Sequence, residues 1–543
     1  MSNPMLEREV RERLKIFLGC NNALSEYNVF IERYPNFNLE SILDLMINTV
    51  FSKNNWRDIK DWVIVFYILT GRFGLKNELV ALRWGFQNNG VSGVASEIEK
   101  YFKEWESRNR ITFVGVESDS IFIDISHTLN YPFNTGIQTV VRQIGKSLLM
   151  DPKVNWVIWN ENNQVWQLVD KEIVSNGLPF QKNSTVNHKN IARKSTILMI
   201  FVKAFWHGVY SSYRYLISNQ NEESNVATNL IVRAKKCVQY FRTRKVSIKN
   251  QGEIRSPLLY NQTLLIIEPI QGESVTRRLY YLPKIARLSV LVYDLIPISH
   301  PEFFTSFSIK NFLNYLKVLN VANNLIAISE FTSSQIRQFV PQIETKNLTA
   351  IPLPISLDNS IEDTSKDFIT PMFLCVGSLE PRKNHMNILK AAEECWNTGL
   401  NFELILVGGQ GWANLDVVKY ILTLKTKKYK IRIIRDASSS QIMKLYSEAY
   451  AFITVPWVEG FGLPLAEAIS TGKFVIASKI DSHLEFGQVE GVYFVNPDEI
   501  DMISTTMKTI LNYRTNNTHR VIRRKPQLSW DEYSARLILD ATK

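Results

Sequence analysis

Cysteine is scarce in this chain of 543 residues: Cys20, Cys237, Cys375 and Cys395 show neither metal-ligand spacing nor the density of a disulfide framework. That excludes a disulfide-stapled scaffold and fits a reducing, cytoplasmic compartment. Long hydrophobic runs are missing too. The longest, Trp62–Leu69 and Ile197–Val202, fall far short of the roughly 18–20 residues of a spanning helix, so no membrane crossing is expected. Met1–Lys15 is charged and lacks an apolar centre, so no secretory signal is expected.

What remains is the composition of an ordinary globular protein, 45% hydrophobic and 21% charged. The length is too great for one core and predicts two large domains with something added. The net charge of +11 is unevenly placed. Twelve basic residues fall between Lys189 and Lys249, opposed only by Glu222 and Glu223. Aromatics accompany them, with Phe205, Trp206, Tyr210, Tyr213 and Tyr215 close to Lys203, His207 and Arg214. A basic, aromatic element of this kind suits an anionic membrane surface, with burial inside a domain as the rival reading. Nucleic-acid binding ranks far behind, because no nucleic-acid-binding motif accompanies the charge.

In chain order, residues 1–112 read as helices, with Met5, Val10, Leu14 and Leu18 near one helical face and Ile42, Leu43, Met46 and Val50 near another. They carry no motif, and a docking or oligomerisation module is the plain expectation. Ile121–Ile125 starts a strand, and Gly136 stands at the turn into a helix. Strand and helix patterns alternate through residues 113–355, apart from the basic insertion at about 180–260, and predict a doubly wound parallel sheet. Asp294 falls at the end of one strand, in Val292-Tyr293-Asp294-Leu295-Ile296-Pro297. Residues 356–520 form a second such domain after a proline-rich, acidic linker, and 521–543 end the chain as a helix.

The second domain opens with a strand, Gly377, and the adjacent cations Arg382 and Lys383 ahead of a helix, a site suited to a doubly charged diphosphate. Further on, Ala451–Val455 reads as a buried strand ended by Pro456. Gly460 and Gly462 permit a tight turn, and Pro464 suits the start of a helix. This places a helix N-terminus, a ready anion site, at the carboxyl end of a parallel strand. Glu459 lies in the turn and Glu467 in the expected first helical turn, eight residues later. Carboxylates beside a phosphate site make sense if they grip sugar hydroxyls. A second glycine segment, Gly408-Gly409-Gln410-Gly411, lacks the third glycine of a dinucleotide fingerprint, and Asp436 lies at only a loosely suitable distance.

The Glu459-to-Glu467 constellation resembles the E-x7-E donor-site signature of the retaining group 1 (family four) glycosyltransferases, which have the GT-B fold. The likeness covers Phe373–Tyr513, reaches back more weakly to Phe122, and does not include the first hundred or so residues. It implies two Rossmann-like domains facing a cleft, with a final helix that crosses back to the first domain. Glu459 would hold the transferred sugar and Glu467 the ribose hydroxyls. Arg382, Lys383 and the helix-start amides near Phe461, Gly462 and Leu463 would neutralise the diphosphate. Gly136 would approach the diphosphate from the first domain, and the turn at Arg435–Asp436 would hold the base largely through backbone. Asp294 would face the acceptor, within a segment where Tyr293 replaces the family's histidine.

The Glu380-Pro381-Arg382-Lys383-Asn384 segment is similar to that of bacterial mannosyltransferases of surface polysaccharide synthesis. GDP-mannose is therefore the first donor expectation, with UDP- and dTDP-sugars next, and a saccharide or lipid-linked saccharide as acceptor. No Asp-x-Asp pair occurs, so neither a metal nor any other cofactor is expected. A catalytically idle scaffold of the same fold, and a nicotinamide enzyme, are the alternatives.

Overall fold

The computed structural model describes residues 58–105, 111–114, 119–130, 136–177, 254–270, 273–341, 343–345, 347–354, 370–409, 411–412, 414–435, 437–515 and 528–543. Val10, Arg13, Leu14, 42–44, 46–47 and Trp56 are also described. The basic aromatic segment, nearly all of the expected linker, and Asp436 lie outside these residues.

Helix α1 (Ile59–Thr70) and helix α2 (Lys76–Trp105), kinked at Asn89–Gly90, account for most of what is described of the amino-terminal region. The α1 side chains Trp62, Val65, Phe66 and Leu69 are fully buried, each worth about 1.5–3 kcal/mol. Val10, Leu14, Ile42, Leu43 and Met46 join them in one apolar core that continues into Phe122, Val157 and Trp166 of the first sheet. Arg13 closes the carboxyl end of α1 by donating to the carbonyls of Ile68 and Leu69, both at 2.7 Å. Of the two helical faces read from the sequence, Val10, Leu14, Ile42, Leu43 and Met46 are thus buried in this core, and Met5, Leu18 and Val50 lie outside the described residues.

The first sheet has seven strands: β1 (Ile121–Asp124), β2 (Val154–Asn160), β3 (Val165–Val169), β4 (Thr263–Ile266), β5 (Arg287–Val292), β6 (Asn324–Ala327) and β7 (Asn347–Ala350). Their order is β3-β2-β1-β4-β5-β6-β7, with every pair parallel except β2 and β3. The second sheet has six: β8 (Met372–Val376), β9 (Glu403–Val407), β10 (Ile431–Ile434), β11 (Ala451–Thr454), β12 (Phe474–Ser478) and β13 (Val492–Val495). All are parallel, in the order β10-β9-β8-β11-β12-β13. β4, β6 and β11 are buried at every residue, as strands covered on both faces must be.

In each sheet the chain winds outward in opposite directions from a central pair, β1/β4 in the first and β8/β11 in the second. The crevice at the carboxyl end of such a pair is where open α/β sheets bind ligands. In chain order α3 (Gly136–Leu148) follows β1, α4 (Ser306–Val321) follows β5, α5 (Glu330–Phe339) follows β6, α6 (His385–Asn397) follows β8 and α7 (Ser439–Glu448) follows β10. α8 (Leu463–Ser470) follows β11. The last helix, α9 (Trp530–Ala541), opens with a Ser529/Glu532 capping box. It packs on the first sheet, where the Ala541 carbonyl accepts from Ser289 Oγ at 2.6 Å and from Asn324 Nδ2 at 2.8 Å. Two Rossmann-like domains with the strand ends facing across one cleft make the GT-B architecture.

Candidate functional site

The site forms where the β11–α8 turn meets the segment after β8. Gly460 sits so tightly against the first domain that a Cβ there would lie 2.3 Å from the Tyr293 carbonyl oxygen. Gly462 caps α8 with φ at +92°, a left-handed conformation that favours glycine. Leu463 is the first residue of α8 and Pro464 the second, so Glu467 falls in the second helical turn rather than the expected first. Gly136, at the start of α3, comes close: a Cβ on it would be 3.2 Å from Leu463 Cδ1. The first amides of α8 have no helical partners, which leaves a concentration of donors beside Gly462.

Onto this turn fold the two cations. Pro381–Lys383 is a single 3-10 turn, and both side chains reach Glu459. Arg382 Nη1 donates to Glu459 Oε2 at 2.7 Å, while Lys383 Nζ donates to Oε1. Arg382 Nε also meets Glu380 Oε2 at 3.0 Å, and Glu380 accepts from Ser378 Oγ. Burial would raise the Glu459 carboxyl, but Arg382 and Lys383 outweigh it and hold the group at about 2. Two buried imidazoles stand nearby. Burial and Lys383 hold His385 at about 3, and burial, opposed by Glu459, holds His483 at about 4. Both are neutral at physiological pH.

Across the cleft, Asp294 follows β5, and Oδ1 accepts from the Ile296 amide at 3.1 Å. Burial pushes its carboxyl above the ordinary range, against the pull of Arg382. Tyr293, which stands where the family has histidine, directly follows β5. Its hydroxyl donates to the Ile267 carbonyl at 2.8 Å, and burial pushes it well above the ordinary tyrosine value. Further along the same edge, Glu268 accepts from the amides of His127 and Thr128 at 2.7 and 2.5 Å. Burial and then Asp124 push the Glu268 carboxyl up to about 8.

Glu467 lies on α8 and its Oε2 accepts from the buried Tyr446 hydroxyl at 2.6 Å. Burial raises its carboxyl and the tyrosine bond opposes the rise. The Phe461 ring is buried 5.2 Å from that of Phe486, which leaves only its backbone for a ligand. Arg435 is exposed after β10. The α7 cap is Ser438, which forms a capping box with Gln441. The Gly411 turn is filled by protein: a Cβ there would be 2.2 Å from the Leu379 carbonyl oxygen. The close approach that this glycine allows is therefore to backbone, which weakens the dinucleotide reading.

The structure thus gathers Glu459, Arg382, Lys383, Gly462, Leu463 and Gly136, with Asp294 facing them, and sets Glu467 one helical turn further on. Sequence reasoning passed over Glu380, whose place one residue before Pro381 marked it as a partner for Arg382. It also missed His483, for which no local pattern gave a signal.

Residues 358–527 match the family described as "Glycosyl transferases group 1". That span holds the second Rossmann-like domain, to which the match is confined. Among curated relatives, the serotype-specific mannosyltransferase WbdA of Escherichia coli is 27% identical over 46% of this chain and 32% of its own. The O-antigen chain mannosyltransferase B of Escherichia coli is 27% identical over 48% of this chain and 71% of its own. This chain thus spans about a third of the length of the WbdA relatives. Among solved structures, a sucrose-phosphate synthase from Thermosynechococcus elongatus aligns with 78% of this chain and 94% of its own, at 14% identity and a TM-score of 0.45.

Proposed function

We propose that the chain is a retaining, metal-independent glycosyltransferase that moves a hexose from a nucleotide-sugar to a saccharide or lipid-linked saccharide in surface polysaccharide synthesis. Mannose from GDP-mannose is the first choice of donor, in keeping with the mannosyltransferases among the curated relatives. The observation that carries the reading is the convergence of Arg382 and Lys383 on Glu459 beside the start of α8. Without a donor, Glu459 takes up both cations. An arriving diphosphate competes for them, and the α8 amides add preorganised donors for charge on the leaving group. Glu459 is thereby released towards the sugar, where its carboxylate stabilises positive charge at the anomeric carbon.

Retention without an ordinary acid/base pair of carboxylates fits front-face attack, with the leaving phosphate as base. Glu467, near the ribose, would clasp its hydroxyls. Asp294 would orient the acceptor from the first domain. Among the described residues no helix is long and apolar enough to cross a membrane. Contact with a lipid-linked acceptor is assigned to the basic aromatic segment, at the cytoplasmic membrane face. The test is a screen of GDP-, UDP- and dTDP-sugars for nucleotide release with a saccharide acceptor. Release with none of them would favour an idle scaffold of the same fold.

A further inference from the structure

Between the two domains runs a set of contacts that uses none of the donor-binding side chains. Helix α5 begins just after β6, at the carboxyl edge of the first sheet. Its N-cap Ser329 donates through Oγ to the Gly460 carbonyl at 2.5 Å, and Thr332 Oγ1 lies 3.2 Å from both that carbonyl and the Tyr293 carbonyl. The start of α5 thus bridges the backbones that carry Asp294 on one side and Glu459 on the other. What satisfies its first two amides comes from the second domain. Glu485 Oε2 accepts from the Glu330 amide at 3.0 Å, and Oε1 from the Phe331 amide at 2.5 Å. These are helix-start donors that otherwise lack a partner within the helix, and a carboxylate there also meets the positive end of the helix dipole.

On the other flank the Phe303 ring stacks on Trp457 at 5.5 Å and 5°, and Trp412 Nε1 donates to the Phe303 carbonyl at 3.0 Å. Trp457 in turn donates its amide to the Arg382 carbonyl at 2.9 Å.

The geometry points to Glu485 as a positioning residue for sugar transfer, a carboxylate that caps a helix of the opposite domain and so fixes Asp294 against the Glu459 turn. It touches neither donor nor acceptor. Its effect falls on how the first domain is held against the second, so it governs the transfer step and leaves the donor-binding side chains of the second domain in place. The role in transfer rests on the glycosyltransferase reading; the clasp itself does not.

Hydrogen exchange, donor affinity and turnover, measured for Glu485→Ala and Glu485→Gln beside the unaltered protein, test this. For Glu485→Ala, exchange should rise at the start of α5 and also in 293–299 and 458–463, on both sides of the cleft. Affinity for the nucleotide-sugar should stay within about twofold while kcat falls about tenfold. Glu485→Gln keeps one acceptor oxygen, should fall between the two, and decides the matter if the alanine variant does not fold. A rise confined to 328–334, with kcat unchanged, would reduce Glu485 to a local cap and overturn the proposal. An unaltered protein that transfers no sugar would sink the functional reading, while the exchange experiment would still decide the clasp.

Discussion

Replacing Glu459 by glutamine separates the two tasks of the Arg382–Lys383–Glu459 cluster. The Glu459 side chain is 10% exposed, between Arg382 at 17% and Lys383 at 13%. Burial acts to raise its pKa, but the two cations bring it from 4.5 to about 2. A difference of that size corresponds to about 3 kcal/mol of folding stability, as an order of magnitude. The folded value is the lower one, so this stability is present above the unfolded value of 4.5 and is lost as the pH falls towards about 2. Glu459→Gln should therefore melt below the unaltered protein at neutral pH, with the gap narrowing on acidification. Binding should move the other way. Two like charges about 6 Å apart repel by about 3 kcal/mol at an effective dielectric of about 20, so removing the Glu459 charge eases diphosphate entry. GDP and UDP should bind the variant about 1–3 kcal/mol more tightly, roughly five- to a hundredfold, while sugar transfer drops by about a hundredfold or more. Calorimetric titration with both nucleotides reads the first effect and product formation the second. Weaker or unchanged diphosphate binding would refute the idea that Glu459 and the diphosphate compete for the same cations.

Glu467→Ala should weaken nucleotide-sugar binding by about 1.5–3 kcal/mol and leave the fold intact, because it removes charge-assisted bonds to ribose. Glu467→Gln retains an acceptor for the Tyr446 hydroxyl, and unchanged affinity in both variants by titration would remove Glu467 from the site. The protein should sediment with anionic vesicles and less so as salt rises, since surface charge reaches only about 8 Å at physiological ionic strength. Replacing Lys235, Lys236, Arg242, Arg244 and Lys245 by glutamine should lower that binding by several kcal/mol at most, at about 1 kcal/mol per charge, and spare turnover of a short soluble acceptor. Equal binding to neutral vesicles, or no loss in the variant, would return the segment to a packed insertion.

The second domain was legible because its elements are short, strongly patterned and punctuated. Apolar runs as short as Met372–Val376 and Ala451–Thr454 read as buried strands, and glycine and proline mark where each ends. The pairing of Arg382 and Lys383 with Glu459 spans a separation of 76 or 77 residues, and no local pattern carries it. It follows from β8 and β11 being neighbours in the sheet, which sets the segments after them side by side. The helical region was legible as helices but not in its role, because an amphipathic face does not say what covers it. Only the packing with Phe122, Val157 and Trp166 identifies the first sheet as that cover. Glu485 gave no signal at all. A carboxylate that caps a helix more than 150 residues away looks, in sequence, like any acid in a loop.

In the proposed reaction this chain transfers a sugar with protein cations in place of a metal. Its most direct test is product formation from GDP-mannose and a saccharide acceptor in excess EDTA, with Glu459→Gln as the paired control. The account predicts sustained turnover in EDTA by the unaltered protein, retention of anomeric configuration in the product, and little or no transfer by the variant. Turnover abolished by EDTA and restored by magnesium or manganese would contradict it, as would a variant as active as the unaltered protein.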